Sequence, residues 1–228
     1  MKKINLLFVV IFSAMMSVAQ NDEKVRIVTP NWAKNATIYE VNVRQFTPEG
    51  TFRALQAHLP RLKAMGVDIL WLMPINPIGK LNRKGSLGSY YAVQDYTEIN
   101  PEYGTKEDFK RFVDNAHKNG LKVIVDWVAN HTSPDSKWIK EGKKEYYTLD
   151  SLGNVQPTIG TDWWDVADLN YDNEAMKTEM VDAMKYWVES FDIDGYRCDV
   201  ADWVPLDFWI RVRRVLDPIK PVFMLAEA

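Results

Sequence analysis

From residue 38 onward, short apolar runs of strand length alternate with longer stretches of helical periodicity, and this alternation narrows the fold more than any other feature. Residues 38–43, Ile-Tyr-Glu-Val-Asn-Val, read as a first strand. A helix from Phe52 follows, with Phe52, Leu55, Leu59, Leu62 and Met65 on one face, a kink at Pro60 and a stop at Gly66. Residues 67–73 form the second strand. Thr105-Lys106-Glu107-Asp108 has the form of a capping box and opens a helix that turns Phe109, Phe112, Val113 and Ala116 inward and ends at Gly120. The third strand is expected at 121–126. Met176, Met180, Ala183, Met184, Trp187, Val188 and Phe191 mark a long helix, residues 193–199 a fourth strand, 206–215 a helix and 222–227 a fifth strand.

Strands joined through helices run parallel, in a sheet covered on both faces. Doubly wound sheets and barrels both satisfy that pattern. No Gly-rich phosphate turn follows a strand, and two long connections, 74–104 and 127–172, leave from strand C-termini, the face on which barrel enzymes build their sites. The expected fold is therefore an α/β, incomplete (β/α)8 TIM barrel of about strands 1–5. Residues 127–172 make a small inserted subdomain after strand 3, and its Trp138, Trp163 and Trp164 suit one wall of a cleft.

The ends and the composition set further bounds. Met1-Lys2-Lys3, the apolar stretch to Val18 and Ser17-Val18-Ala19 have the layout of a secretory signal, expected to occupy residues 1–19 and to leave 20–228 as the barrel segment. Its apolar stretch is shorter than the ~20 residues that span a bilayer, and nothing later is apolar for long enough. A secreted or periplasmic protein without a membrane span follows. The net charge of −3, with no Lys/Arg-dense stretch, excludes a nucleic-acid footprint. The single cysteine, Cys198, excludes an internal disulfide.

Chemistry gathers at the strand ends. The third strand ends in Asp126 with His131 just beyond, the fourth in Arg197-Cys198-Asp199, the fifth in Glu227. Because side chains alternate, Arg197 and Asp199 share one face, and Cys198 turns to the helices as a core residue. One carboxylate at a strand end is most often a cap or an ion-pair partner. Three on consecutive strand ends suit cleavage of a glycosidic bond, where one carboxyl protonates the leaving oxygen and another attacks carbon or activates water. With only His58, His117 and His131 in the chain, no zinc cluster assembles, and no Gly-x-Ser-x-Gly elbow occurs.

Asp126-Trp127-Val128-Ala129-Asn130-His131, Gly195-Tyr196-Arg197-Cys198-Asp199 and Leu225-Ala226-Glu227 resemble three signature segments of the α-amylase family of glycoside hydrolases. Residues 88–96 and 167–170 resemble two more, and the likeness runs from about Trp32 to the last residue. It implies a retaining mechanism on α-linked glucans, with Asp199 as nucleophile, Glu227 as general acid and then base, and Arg197 keeping Asp199 ionised. It further implies Tyr91 stacking beneath the sugar, His131 bonding its hydroxyls, Asp126 orienting its surroundings, and Asn130 and Asp168 as oxygen ligands of Ca2+. Retention sets the expected carboxyl separation at ~5–5.5 Å.

Two departures accompany the likeness. Asp202-Trp203 stands where the family commonly has Lys-His, which leaves the balance of hydrolysis and transfer open. The family's third catalytic aspartate, in a segment after strand seven, has no counterpart. The expected function is a secreted retaining α-glucan hydrolase acting on α-1,4 bonds of starch-type polysaccharides, in a truncated chain of impaired activity. The alternatives are a transglycosylase, an α-1,6-acting relative or a non-catalytic glucan-binding protein.

Overall fold

The computed structural model describes residues 28–228, so the expected signal segment lies outside the described residues. In chain order the elements are β1 (Ile38–Val41), α1 (Val43–Phe46), α2 (Phe52–Gln56), α3 (Leu59–Ala64), β2 (Ile69–Leu72), α4 (Lys106–Lys118), β3 (Lys122–Trp127), β4 (His131–Thr132), α5 (Lys137–Lys140), β5 (Ala167–Asp168), α6 (Glu174–Phe191), β6 (Gly195–Cys198), α7 (Leu206–Leu216) and β7 (Phe223–Ala226). β1, β2, β3, β6 and β7 pair in that order, all parallel, into one five-stranded sheet, while β4 and β5 form a separate antiparallel pair. The fourth and fifth barrel strands are thus β6 and β7. No helix among the described residues is long and apolar enough to cross a membrane.

Alternation within the strands separates two environments. Leu70, Leu72, Val123, Val125, Trp127, Tyr196 and Cys198 point to the helices and join a core with Phe109, Phe112, Met180, Met184 and Trp187. Tyr196 donates its hydroxyl to the carbonyl of Met184 on α6, which fixes which face of β6 is outward. Asp126 and Arg197, one residue out of phase with that set, turn to the barrel interior at the same register level.

Several boundaries differ from the sequence expectation. The first strand stops at Val41, because Gln45 and Phe46 both donate back to the carbonyl of Asn42 and wind residues 43–46 into a helical turn. The expected helix from Phe52 is two helices. Pro60 sits in the first turn of α3, where its missing N–H costs nothing, and the break falls at Ala57-His58. The capping box forms as expected: Thr105 accepts from the Asp108 N–H at 3.2 Å and Asp108 accepts from the Thr105 N–H at 3.0 Å.

Gly195 opens β6 with φ at +151°, and a Cβ built there would lie 1.8 Å from the carbonyl oxygen of Phe223. Only glycine lets β7 come close enough to pair at this point. Gly195→Ala is expected to cost ~1–3 kcal/mol from the backbone conformation alone, with the clash in addition. Urea denaturation is the check, and an unchanged midpoint would mean that β7 is not held at this register.

Candidate active site

The backbone ladder continues past the ends of β3, β6 and β7 and so holds the acidic residues in place. The Asp199 N–H donates to the Trp127 carbonyl at 3.0 Å, the Glu227 N–H to the Cys198 carbonyl at 3.0 Å, and the Ala201 N–H to the Glu227 carbonyl at 2.8 Å. Val200, directly after Asp199, has a φ of +37°. That is a strained conformation for a β-branched residue, of the kind found where backbone serves a site.

Arg197 is the centre of the cluster. Its Nη1 donates to Asp126 Oδ1 at 2.9 Å, to Asp126 Oδ2 at 3.0 Å and to Asp199 Oδ1 at 3.0 Å, and its Nη2 pairs with Glu227. Asp126 is 1% exposed and also accepts from the Trp71 indole N–H at 3.0 Å and the Tyr91 hydroxyl at 3.3 Å. Burial pushes the Asp126 carboxyl up to about 7 against the pull of the guanidinium. Burial also raises Asp199, and the neighbouring Glu227 adds to the rise while Arg197 opposes it. Arg197 therefore tempers the rise at Asp199 without cancelling it.

Asp199 and Glu227 meet through Arg197, whose Nη1 donates to Asp199 Oδ1 at 3.0 Å while its Nη2 pairs with Glu227. Glu227 is drawn inward by Arg197 on one oxygen and accepts the Val200 N–H at 3.2 Å on the other. Glycosidic bond cleavage with retention asks for one carboxyl as acid and a second, ionised one as nucleophile on either side of the scissile bond.

A cleft of about 660 Å³ opens over these groups, lined among others by Lys84, Tyr91, His131, Trp163, Asp199, Trp203 and Glu227. His131 opens β4 opposite Asp168 of β5 and is 2% exposed. Burial lowers its pKa to about 4, so it is neutral at pH 7. Trp163 packs edge-on to His131 with ring centres 5.5 Å apart and stacks on Trp203 at 5.4 Å and 18°. The inserted segment does supply a wall, through Trp163. Trp138 does not share it: that ring is buried against Tyr96 and Tyr146, and its N–H donates to Glu179 of α6 at 2.7 Å. Trp164 is exposed and does not line the cleft.

The remaining two expected residues meet near Thr158. Asn130 donates to the Thr158 hydroxyl at 3.3 Å, and Asp168 accepts from Thr148 at 2.8 Å, while burial raises its carboxyl and the Thr148 and Thr158 hydroxyls oppose the rise. In donor type these side chains fit calcium, and they would supply part of its six to eight oxygens. Among the described residues no group of three or more Asp, Glu, His or Cys side chains converges on such a position. Trp71 is the participant that sequence reasoning missed. An indole inside the aliphatic strand Ile69-Leu70-Trp71-Leu72 was the available signal.

Comparison with known proteins agrees with this geometry. Residues 19–215 match the family model described as alpha amylase, catalytic domain. The chain is 34% identical over 208 residues to the alpha-amylase MalA of Haloarcula japonica, covering 87% of this chain and 30% of that protein. It is 32% identical over 212 residues to a trehalose synthase of Pimelobacter sp. (strain R48), covering 77% of this chain and 35% of that one. The solved structure of an alpha-amylase from Lactobacillus plantarum superposes with a TM-score of 0.81 at 49% identity, covering 85% of this chain and 45% of that one. The chain thus spans less than half the length of these relatives. On the strength of the matched catalytic-domain model and a five-stranded parallel sheet that carries the acids at its strand ends, it belongs to the α-amylase family of glycoside hydrolases.

Proposed function

We propose that this chain carries the glycosyl-transferring machinery of a retaining enzyme that hydrolyses α-1,4 bonds of starch-type glucans. The observation that carries the reading is the contact of Asp199, Glu227 and Arg197 at the floor of an aromatic-walled cleft. Glu227 donates its proton to the glycosidic oxygen as the bond to the leaving sugar breaks. Asp199 attacks the anomeric carbon from the opposite face and forms a β-glucosyl ester. Glu227, now ionised, takes a proton from water, which attacks the same carbon and releases Asp199. Asp126 has all of its nearby donors within the protein and orients Arg197 without reacting.

Hydrolysis and transfer share every step but the last, so the acceptor decides between them. The Trp163–Trp203 stack beside the acids favours the second reading, a transglycosylase, insofar as it offers a flat apolar surface to an incoming sugar. A non-catalytic glucan-binding protein would have no use for two carboxyls held by one guanidinium at the cleft floor. Incubation of the intact protein with maltohexaose, followed by product sizing and NMR of the first-formed anomer, tests the reading. Shorter α-anomeric products are expected. Longer oligosaccharides as the main product would replace hydrolysis by transfer, and β-anomeric products would overturn retention.

Calcium at Asn130 and Asp168 and export by the N-terminal segment belong to the same reading. The oxygen donors around Thr158 support the first, and the basic start followed by an apolar run supports the second. Millimolar calcium is expected to raise the melting temperature by a few degrees and EGTA to reverse it, as befits a site in the 10⁻⁴–10⁻³ M range. An unchanged melting temperature would remove calcium from the proposal.

A further inference from the structure

We propose that Trp71 is a positioning residue that sets the angle at which Arg197 meets Asp199, by holding both members of the buried Arg197–Asp126 pair with one indole. The inference rests on the proposed role of Asp199. Trp71 projects into the barrel from β2, next to β3, which carries Asp126. Its Nε1–H donates to Asp126 Oδ2 at 3.0 Å, and the Arg197 Cζ stands 5.0 Å from the centre of its ring. The ring edge thus grips the anion while the ring face carries the cation. A guanidinium lying on an aromatic face keeps its plane, since tilting away gives up the cation–π contact.

Arg197 has several acceptors to choose from. Its Nη1 serves Asp126 and Asp199, and its Nη2 serves Glu227. Two fixed groups suffice to choose among these orientations, and Trp71 provides one directly and the other through Asp126. Tyr91 alone cannot do this, because its hydroxyl reaches Asp126 at a longer 3.3 Å and its ring centre lies 6.0 Å from Arg197. The titratable and charged groups that face Asp126 are Arg197 and Asp199, from β6 and the segment after it, and Tyr91, from the connection after β2. Cys198, on the far side of β6, feels the Asp126 charge, Glu227 after β7 reaches the pair through Arg197, and Glu40 on β1 acts on Tyr91.

The test begins with a readout that does not need turnover. In ¹⁵N-tryptophan-labelled intact protein, one indole N–H resonance is expected to shift downfield and to titrate near neutral pH as Asp126 gains its proton. Trp71→Phe removes that resonance and identifies it, and Asp126→Asn abolishes its titration. If Trp71→Phe does not fold, through-space contacts from the same N–H to Tyr91 and Arg197 make the assignment in the unaltered protein. An indole resonance of Trp71 that shows no downfield shift and does not move in Asp126→Asn would overturn the proposal.

The second readout is kinetic. Trp71→Phe keeps the ring face and loses the donor, so kcat is expected to fall ~10–100-fold with KM nearly unchanged and with the acid limb of the pH profile displaced upward. In an Asp126→Asn background the same substitution should add nothing. Equal additive losses in both backgrounds would reduce Trp71 to a packing residue. A titrating indole in a protein without activity on any α-glucan would leave the positioning contact standing and sink the functional reading instead.

Discussion

Asp199→Asn is expected to lower turnover of maltooligosaccharides by roughly 10⁴- to 10⁶-fold while leaving their binding within a few-fold. The asparagine fits the same space and still accepts from Arg197, but its neutral amide does not displace a sugar from its leaving group. The loss is large because the second step has nothing to hydrolyse if the glycosyl ester never forms. Intact-protein mass spectrometry after a slow, activated fluoroglucoside separates this from a folding defect: the unaltered protein should gain one glycosyl unit on the peptide holding Asp199, and the variant none. A labelled variant would move the nucleophile elsewhere. The pH profile carries a matching signature. Burial and Glu227 raise the Asp199 carboxyl, so activity should fall on the acid side at a higher pH than a free aspartate would give.

The largest stability effect is expected at Arg197. Arg197→Met keeps much of the side chain's bulk and removes the charge, leaving Asp126 at 1% exposure without its cation. Breaking a buried pair from one side costs about 3–5 kcal/mol, and only the Trp71 and Tyr91 donors remain to offset it. The sign of the pH dependence follows from the direction of the Asp126 shift. Its folded carboxyl is raised to about 7, above the unfolded value near 3.9, so the folded state holds more protons across that window. The contribution of this group to stability therefore declines as pH rises from about 4 to 7. Arg197→Met removes the group that opposes the rise, and its destabilisation should be greater at pH 8 than at pH 5. Urea midpoints at the two pH values decide the matter: equal stability of variant and parent at pH 8 would mean that Asp126 is not charged in the folded protein.

Much of this architecture was legible because it rests on local rules. The five parallel strands, the Thr105–Asp108 capping box and the opposite facing of Arg197 and Cys198 need only alternation, periodicity and capping chemistry, and each is observed. What was not legible depends on which hydrogen-bond partners the folded chain selects. Val43 has strand propensity, yet hydrogen bonds back to Asn42 wind the chain there into a turn. Trp138 looked like a cleft residue until α6 provided Glu179 as a partner for its indole. Trp71 stands out as an indole in an aliphatic strand, but nothing adjacent in sequence marks its N–H as aimed at Asp126. The pairing of Glu227 with Arg197 was out of reach in the same way: it depends on which acceptors one arginine selects, a tertiary outcome that no strand-end pattern encodes.

Three carboxyls surround one guanidinium. With one of the three protonated, as the acid of the proposed reaction must be, the cluster sums to one negative charge. A glycosyl group leaving its oxygen develops close to one positive charge at the ring and anomeric carbon. The pocket is thus pre-charged for a cation that exists only in passing, and a neutral ground-state sugar gains little from it. Seen from the ligand's side, a ring carrying a protonated nitrogen resembles the fleeting species more than glucose does, and its advantage should fade in acid as the cluster itself is neutralised.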